Sequence, residues 1–205
     1  MHYNPRWDLA FSSVESIMRD VWYGWLLRYI HANTASFFFI FMYIHIGRDM
    51  YYGSYNHPRF VVLLIGVVIF IVTMATAFMG YVLHMGTLSY WGSTAITNLL
   101  FVVTWIGIDF VYYLWGGFSV NDATVNRFFS IYFVFPFIVL AITCIQILTI
   151  HHNGSKIFLW ISNNIDRLSF HPYFTYKDLI TIFLYFIFIG YFVFYAPNYL
   201  GHSDL

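Results

Sequence analysis

The sequence predicts an all-α integral membrane protein, and two observations lead there. Of 205 residues, 60% are hydrophobic and only 9% charged, with a positive mean hydropathy; chains of that composition are solvated by lipid. Four stretches without Asp, Glu, Lys or Arg are each long enough to cross a ~30 Å hydrocarbon core as a helix. By length the chain reads as a single membrane domain over residues 1–205.

Each element follows from local pattern. Ser12-Ser13-Val14-Glu15 carries a capping-box pattern, and Leu9, Val14, Ile17, Met18 and Val21 recur at helical spacing. Together they predict a short amphipathic surface helix over 12–21. Arg28 and Arg48 bracket nineteen residues, which predicts a first span over 27–49. Phe60 to Leu83 (24 residues), Phe128 to Ile150 (23) and Leu179 to Leu200 (22) predict the other three spans, 60–83, 128–150 and 179–200. Each is read as a helix because backbone groups in lipid must be satisfied within their own segment. The connection from His84 to Arg127 is too apolar for a solvated loop. Its YWGSTAITNLL and YYLWGGFSV stretches predict one or two interfacial helices within 86–116. Asn153 to Lys177, with His171-Pro172, is expected to be mostly extended.

Composition also excludes function classes. Formal net charge is zero and no basic run exists, so nucleic-acid binding has no footing. No Asp, Glu or Lys interrupts the last three spans, which speaks against a proton or ion relay. The single cysteine, Cys144, sits in an apolar run, can form no intrachain disulfide and is expected to be a buried packing residue. The start, MHYNPRWDLAF, has neither a secretory nor a transit pattern, so insertion is expected to rely on the spans themselves. That suits an organelle-encoded or bacterial chain, and 24 Phe with 18 Tyr fit an AT-rich organelle genome. Four crossings put both termini on one side. Arg6, Arg19, Arg28 and Arg127 lie there, against Arg48, Arg59, Lys156, Arg167 and Lys177 opposite, too even a split to orient the chain.

Two histidines carry the chemistry. His31 and His45 stand fourteen residues apart on the first span. That step keeps them on nearly one helix face, about 21 Å apart along the axis. One helix can thereby offer an axial ligand to each of two haems stacked across a bilayer. A lone intramembrane histidine is more often hydrogen-bonded inside a bundle than bound to iron. The pair, flanked by Arg28 and Arg48 suited to haem propionates, points to a ligand origin. Gly66 and Gly80 repeat the fourteen-residue step on the second span, where small residues permit close helix packing or leave room for a flat macrocycle. On the third span the same step joins Tyr132 and Gln146.

In order along the chain, RYIHANTASFFFIFMYIHIGR, TAFMGYVL, YWGSTAITNLL, GGFSVNDATVNRFF and FHPYFTYKDL resemble segments of the mitochondrial cytochrome b family. That family forms the membrane core of quinol–cytochrome c reductase, respiratory complex III. The resemblance runs from about His2 to Leu205 and implies four transmembrane helices of a cytochrome b-like bundle plus short interfacial helices. These match the second through fifth of the family's eight spans. By position, His31 corresponds to a ligand of the low-potential haem and His45 to one of the high-potential haem. Tyr132 and Gln146 fall where their two partner histidines belong. Gln is a poor iron ligand; Tyr can bind ferric haem as phenolate but favours the oxidised state. Alternatively, Tyr132 fills the vacated space and Gln146 makes a helix–helix hydrogen bond.

The quinone positions are mixed. The family's Pro-Glu-Trp-Tyr segment for quinol oxidation has no counterpart, and its Pro-Trp-Gly reads His84-Met85-Gly86 here. On the opposite face, His151, Ser155, Lys177 and Asp178 match the quinone-reduction positions. They imply a quinone or lipid head-group site, or else they cap helix ends at headgroup level. The leading expectation is a haem-free accessory or scaffold subunit of a respiratory complex or supercomplex, with no metal and with membrane subunits and lipids as partners. It would lie in the mitochondrial inner membrane with both termini toward the intermembrane space. The rival is a fragment of a split, redox-active cytochrome b with b-type haem. A weaker third reading is a module with one five-coordinate haem on His31 or His45.

Overall fold

The computed structural model describes residues 2–154 and 168–201. Seven α-helices follow one another in that part of the chain: α1 (Ala10–Asp20), α2 (Gly24–Tyr51), α3 (Phe60–Val82), α4 (Thr87–Asn98), α5 (Gly107–Trp115), α6 (Asp122–Asn153) and α7 (Thr175–Tyr195). A 3-10 turn, Leu99–Val102, separates α4 from α5, and a wide turn, Phe170–Phe174, leads into α7. The helices α2, α3, α6 and the Phe170–Tyr195 segment are each long and apolar enough to span a membrane. The short helices α1, α4 and α5 occupy the stretches expected to be interfacial.

Local chemistry moved several boundaries. The expected capping box does not form: Ser12 and Ser13 lie inside α1 and return their hydroxyls to Leu9 O (3.0 Å) and Ala10 O (2.7 Å). The helix begins a turn earlier, where Leu9 and Ala10 N–H groups bond Arg6 O. A serine hydroxyl competes for nearby backbone carbonyls as readily as it caps. Between α1 and α2 the backbone turns sharply through Tyr23, at φ 55°. Gly24 follows because any Cβ there would run into the Ile17 carbonyl. The last span was expected to reach Leu200, but α7 stops at Tyr195. Pro197 pushes the residue before it out of helical geometry, and Ala196 has φ −141°. Of the stretch expected to be extended, Phe170–Phe174 is a wide turn and α7 begins at Thr175. Pro136 sits inside α6, where it has no N–H to offer the Tyr132 carbonyl one turn back.

The chain divides into two compact units, and α2, α3 and α6 contribute residues to both. The first gathers Met1–Trp25 and Val68–Thr143. Its core is Met79, Val82 and Leu83 of the α3 end with Val125 and Phe128 of α6. The N-terminal segment is latched onto it. Tyr3 donates its hydroxyl to Leu83 O at 2.7 Å and lays its ring against Phe129, and the Trp7 N–H bonds the Asp122 carboxylate at 2.7 Å. Asn121 caps α6 by accepting the Ala123 N–H at 2.9 Å. A second cluster, Val111, Trp115 and Val120, is tied in by a buried polar chain. Trp115 Nε1 donates to Thr97 Oγ1 (2.9 Å), Thr97 to Ser93 O (2.6 Å), and Thr124 to Trp115 O (2.9 Å). Gly116, at φ +72°, ends α5 in left-handed geometry. The Arg127 guanidinium then reaches the Tyr113 and Leu114 carbonyls and lies over the Tyr113 ring.

The second unit comprises Leu26–Val67 and Cys144–His202. Here α7 packs on α2 through rings: Phe37 meets Tyr185 and Phe192 edge-on, and Phe41 meets Tyr185. Asn33, 1% exposed, donates to Tyr29 O (3.0 Å) and Pro197 O (3.1 Å), holding the segment after α7 against α2. Arg59 Nε bonds Gly154 O at 2.8 Å just past the end of α6.

Two predictions follow from the first unit. Burial pushes the Tyr3 phenol up to about 12, because the neutral form suits its half-buried site. With the folded pKa above the unfolded value of about 10, its stabilisation is complete below pH 10 and is lost as pH climbs toward 12. Tyr3→Phe therefore lowers stability by about 1 kcal/mol at neutral pH and flattens this alkaline decline, as thermal unfolding from pH 8 to 11.5 would measure. Thr97→Val leaves the buried Trp115 N–H without its acceptor and costs about 1–3 kcal/mol; unchanged thermal stability would contradict the polar chain.

Candidate functional site

The positions singled out by the fourteen-residue spacing sit on three helices. His31 and His45 lie on α2 and both are exposed. Arg28, half-buried, lies one turn before His31. Arg48, one turn after His45, places its guanidinium 5.8 Å from the Tyr52 ring centre, a cation–π arrangement.

On α3 each of the two glycines has a side chain of α6 lying on it. In the first unit, a Cβ at Gly80 would stand 2.7 Å from Tyr132 Cε2 and within 3.4 Å of two further ring atoms. The half-buried Tyr132 ring, packed against the Met79–Phe128 core, lies directly on the glycine. In the second unit, a Cβ at Gly66 would stand 3.0 Å from Gln146 Nε2. That amide also donates a long hydrogen bond, 3.4 Å, to Val62 O one turn earlier on α3. Both residues that stand in expected haem-ligand positions therefore pack onto a glycine of α3.

A pair of b-type haems with two histidines each needs an imidazole at all four positions. Tyr132 and Gln146 supply none, so this donor set does not fit that cofactor. Sequence reasoning also missed Thr73, midway between the glycines at seven residues from each. It is buried, and its hydroxyl has no hydrogen-bond partner among the described residues. The seven-residue step along α3 was the signal available for finding it.

The expected head-group residues lie in the second unit. His151 is exposed in the last turn of α6, and Asp178 is exposed in the first turn of α7, where a carboxylate suits the positive helix end. Lys177 holds its ammonium 5.8 Å from the Tyr173 ring centre. It lines an open groove of about 520 Å³ with Pro172, Tyr173, Tyr176 and Ile180. His151 and Asp178 do not line that groove, and Ser155 lies outside the described residues. His84, at the expected Pro-Trp-Gly position, is buried with its ring edge-on to Phe11 at 5.1 Å.

Comparison with known proteins identifies the family and the fold. The cytochrome b/b6/petB family profile matches residues 1–154. Cytochrome b of Mycosarcoma maydis is 60% identical over 204 residues, which is 100% of this chain and 52% of that protein. Cytochrome b of Candida parapsilosis is 57% identical over 204 residues, covering 100% of this chain and 53% of that protein. A chain of a hyperthermophilic respiratory complex III superposes with a TM-score of 0.88 at 30% identity, covering 99% of this chain and 56% of that one. This chain thus spans about half the length of the curated relatives it matches. Family profile, identity across the whole of this chain and a superposable helical fold agree: the chain belongs to the cytochrome b family.

Proposed function

We propose that this chain is a haem-free, cytochrome b-derived accessory subunit that serves as a scaffold within a mitochondrial respiratory-chain complex. The observation that carries this reading is the pair Tyr132 and Gln146 at two of four iron-ligand positions. Neither side chain gives iron the strong, neutral nitrogen donor that a bis-histidine site uses. Apolar helix packing does not need iron, so the fold outlives the loss of its ligands. In this reading the chain sits in the inner membrane with both termini toward the intermembrane space. Its apolar flanks face other membrane subunits and lipid.

A second reading has one observation in its favour. His31 and His45 keep the fourteen-residue ligand spacing on one helix, as a split, redox-active cytochrome b would require. The two readings separate in one preparation. The chain, affinity-tagged and purified in mild detergent from its own membranes, should migrate within a large respiratory complex. The b-type absorbance there should belong to a separate cytochrome b with all four histidines. A complex in which the only b-type haems travel with this chain and a complementary polypeptide carrying the remaining helices would replace the scaffold reading with the split enzyme.

We also propose, from the family resemblance rather than from a shared groove, that His151, Lys177 and Asp178 form a head-group site for a phospholipid phosphate or a quinone. A basic side chain at the membrane surface contributes about 1 kcal/mol toward an anionic lipid. Lys177→Ala is therefore expected to lower anionic phospholipid retained per chain roughly five-fold, read by mass spectrometry of the purified complex. Loss of bound quinone instead, most marked in His151→Ala, would identify a quinone site. Unchanged retention of both would end the assignment.

A further inference from the structure

The two glycines that would pass a macrocycle are each covered by the side chain that took a ligand's place. We propose that Tyr132 and Gln146 act as plugs: their side chains build over the Gly80 and Gly66 notches of α3 and use the space as helix–helix packing. The inference deepens the haem-free reading and rests on it.

A glycine kept on a membrane helix needs a reason, since alanine propagates a helix better. At Gly80 the reason is steric, because an added methyl would meet the Tyr132 ring at 2.7 Å. Real Cβ contacts do not come that close, and the ring is held by the Met79, Val82, Leu83, Val125 and Phe128 cluster. It is rigid, so it has no end that swings aside. At Gly66 the neighbour is the Gln146 amide, 3.0 Å from an added Cβ. The amide is the far end of a flexible side chain whose other tie is the long bond to Val62 O. The two notches are therefore filled unequally, one by a fixed aromatic body and the other by a movable polar tip.

A notch kept for a macrocycle would behave differently. Both glycines would then be intolerant alike, and their tolerance would not depend on residues 132 and 146. A haem would stand on each glycine whichever side chain lay beyond it.

The test is a set of double-mutant cycles on the full chain in its purified membrane complex. Thermal unfolding of the chain and haem per chain are read together. Gly80→Ala is expected to lower the apparent Tm by about 5 °C or more. The same substitution in a Tyr132→Ala background should have almost no effect, because the ring it would strike is gone. In a Tyr132→Phe background, which keeps the ring, Gly80→Ala should damage as it does in the unaltered chain. Gly66→Ala should lower Tm by less than about 2 °C and become neutral with Gln146→Ala. If Gly80→Ala does not assemble, Tyr132→Ala and the double variant alone still decide the matter, since equal stability of those two supports the plug. Equal damage from Gly80→Ala with and without the ring would overturn the plug and leave the haem-free reading standing. Haem bound stoichiometrically to the unaltered chain would overturn both.

Discussion

In hydrocarbon an unpaired backbone N–H or C=O costs several kcal/mol, with no water to share the load. Every long element of this chain answers that constraint by closing its hydrogen bonds within a helix. Polar side chains in the spans follow the same rule. Thr76 returns its hydroxyl to Val72 O, Ser130 to Asn126 O, Thr143 to Val139 O and Thr149 to Ile145 O, each one turn back on its own helix. A hydroxyl so tied can face lipid without a partner helix. The hydroxyl of Thr73 has no such return among the described residues, and it lies on the face that carries both glycines.

Outside the spans the same need is met across elements. The connection between α3 and α6 uses a buried chain through Thr97, Trp115 and Thr124 to join α4, α5 and the start of α6. The N-terminal segment closes over the same unit through Tyr3 and Trp7, bonding one carbonyl after α3 and one carboxylate at the start of α6. These bonds replace water with protein partners in an apolar region, which is why so hydrophobic a connection is folded rather than solvated. Large apolar side chains such as Val102, Trp105 and Phe118 remain on its outside; Trp is at home at the level where lipid chains meet headgroups.

Much of the fold was legible in the residues. Uncharged runs of spanning length marked α2, α3, α6 and α7, since lipid demands both apolar side chains and a closed backbone. Less was legible at helix ends. Ser12 and Ser13 looked like a cap, yet their hydroxyls turned to carbonyls behind them. The halt of α7 at Tyr195 came from Pro197, which a hydropathy reading passes over. At the candidate site, residue identity displayed directly that Tyr132 and Gln146 share the fourteen-residue spacing of His31 and His45. It did not display where Tyr132 and Gln146 would come to rest.

What the sequence determined by itself is therefore chemical and periodic: membrane residence, four spanning helices, family membership, and the fourteen-residue steps that join His31 to His45, Gly66 to Gly80 and Tyr132 to Gln146. Tertiary structure alone decided that the Tyr132 ring lies on Gly80 and the Gln146 amide on Gly66. The reason is physical. Lipid is as apolar as a leucine-rich helix face, so hydrophobic pattern carries little information about which face meets which. Contact in a membrane is settled by shape, by where a small residue leaves a notch and what has the size to fill it, and shape exists only once the helices are packed.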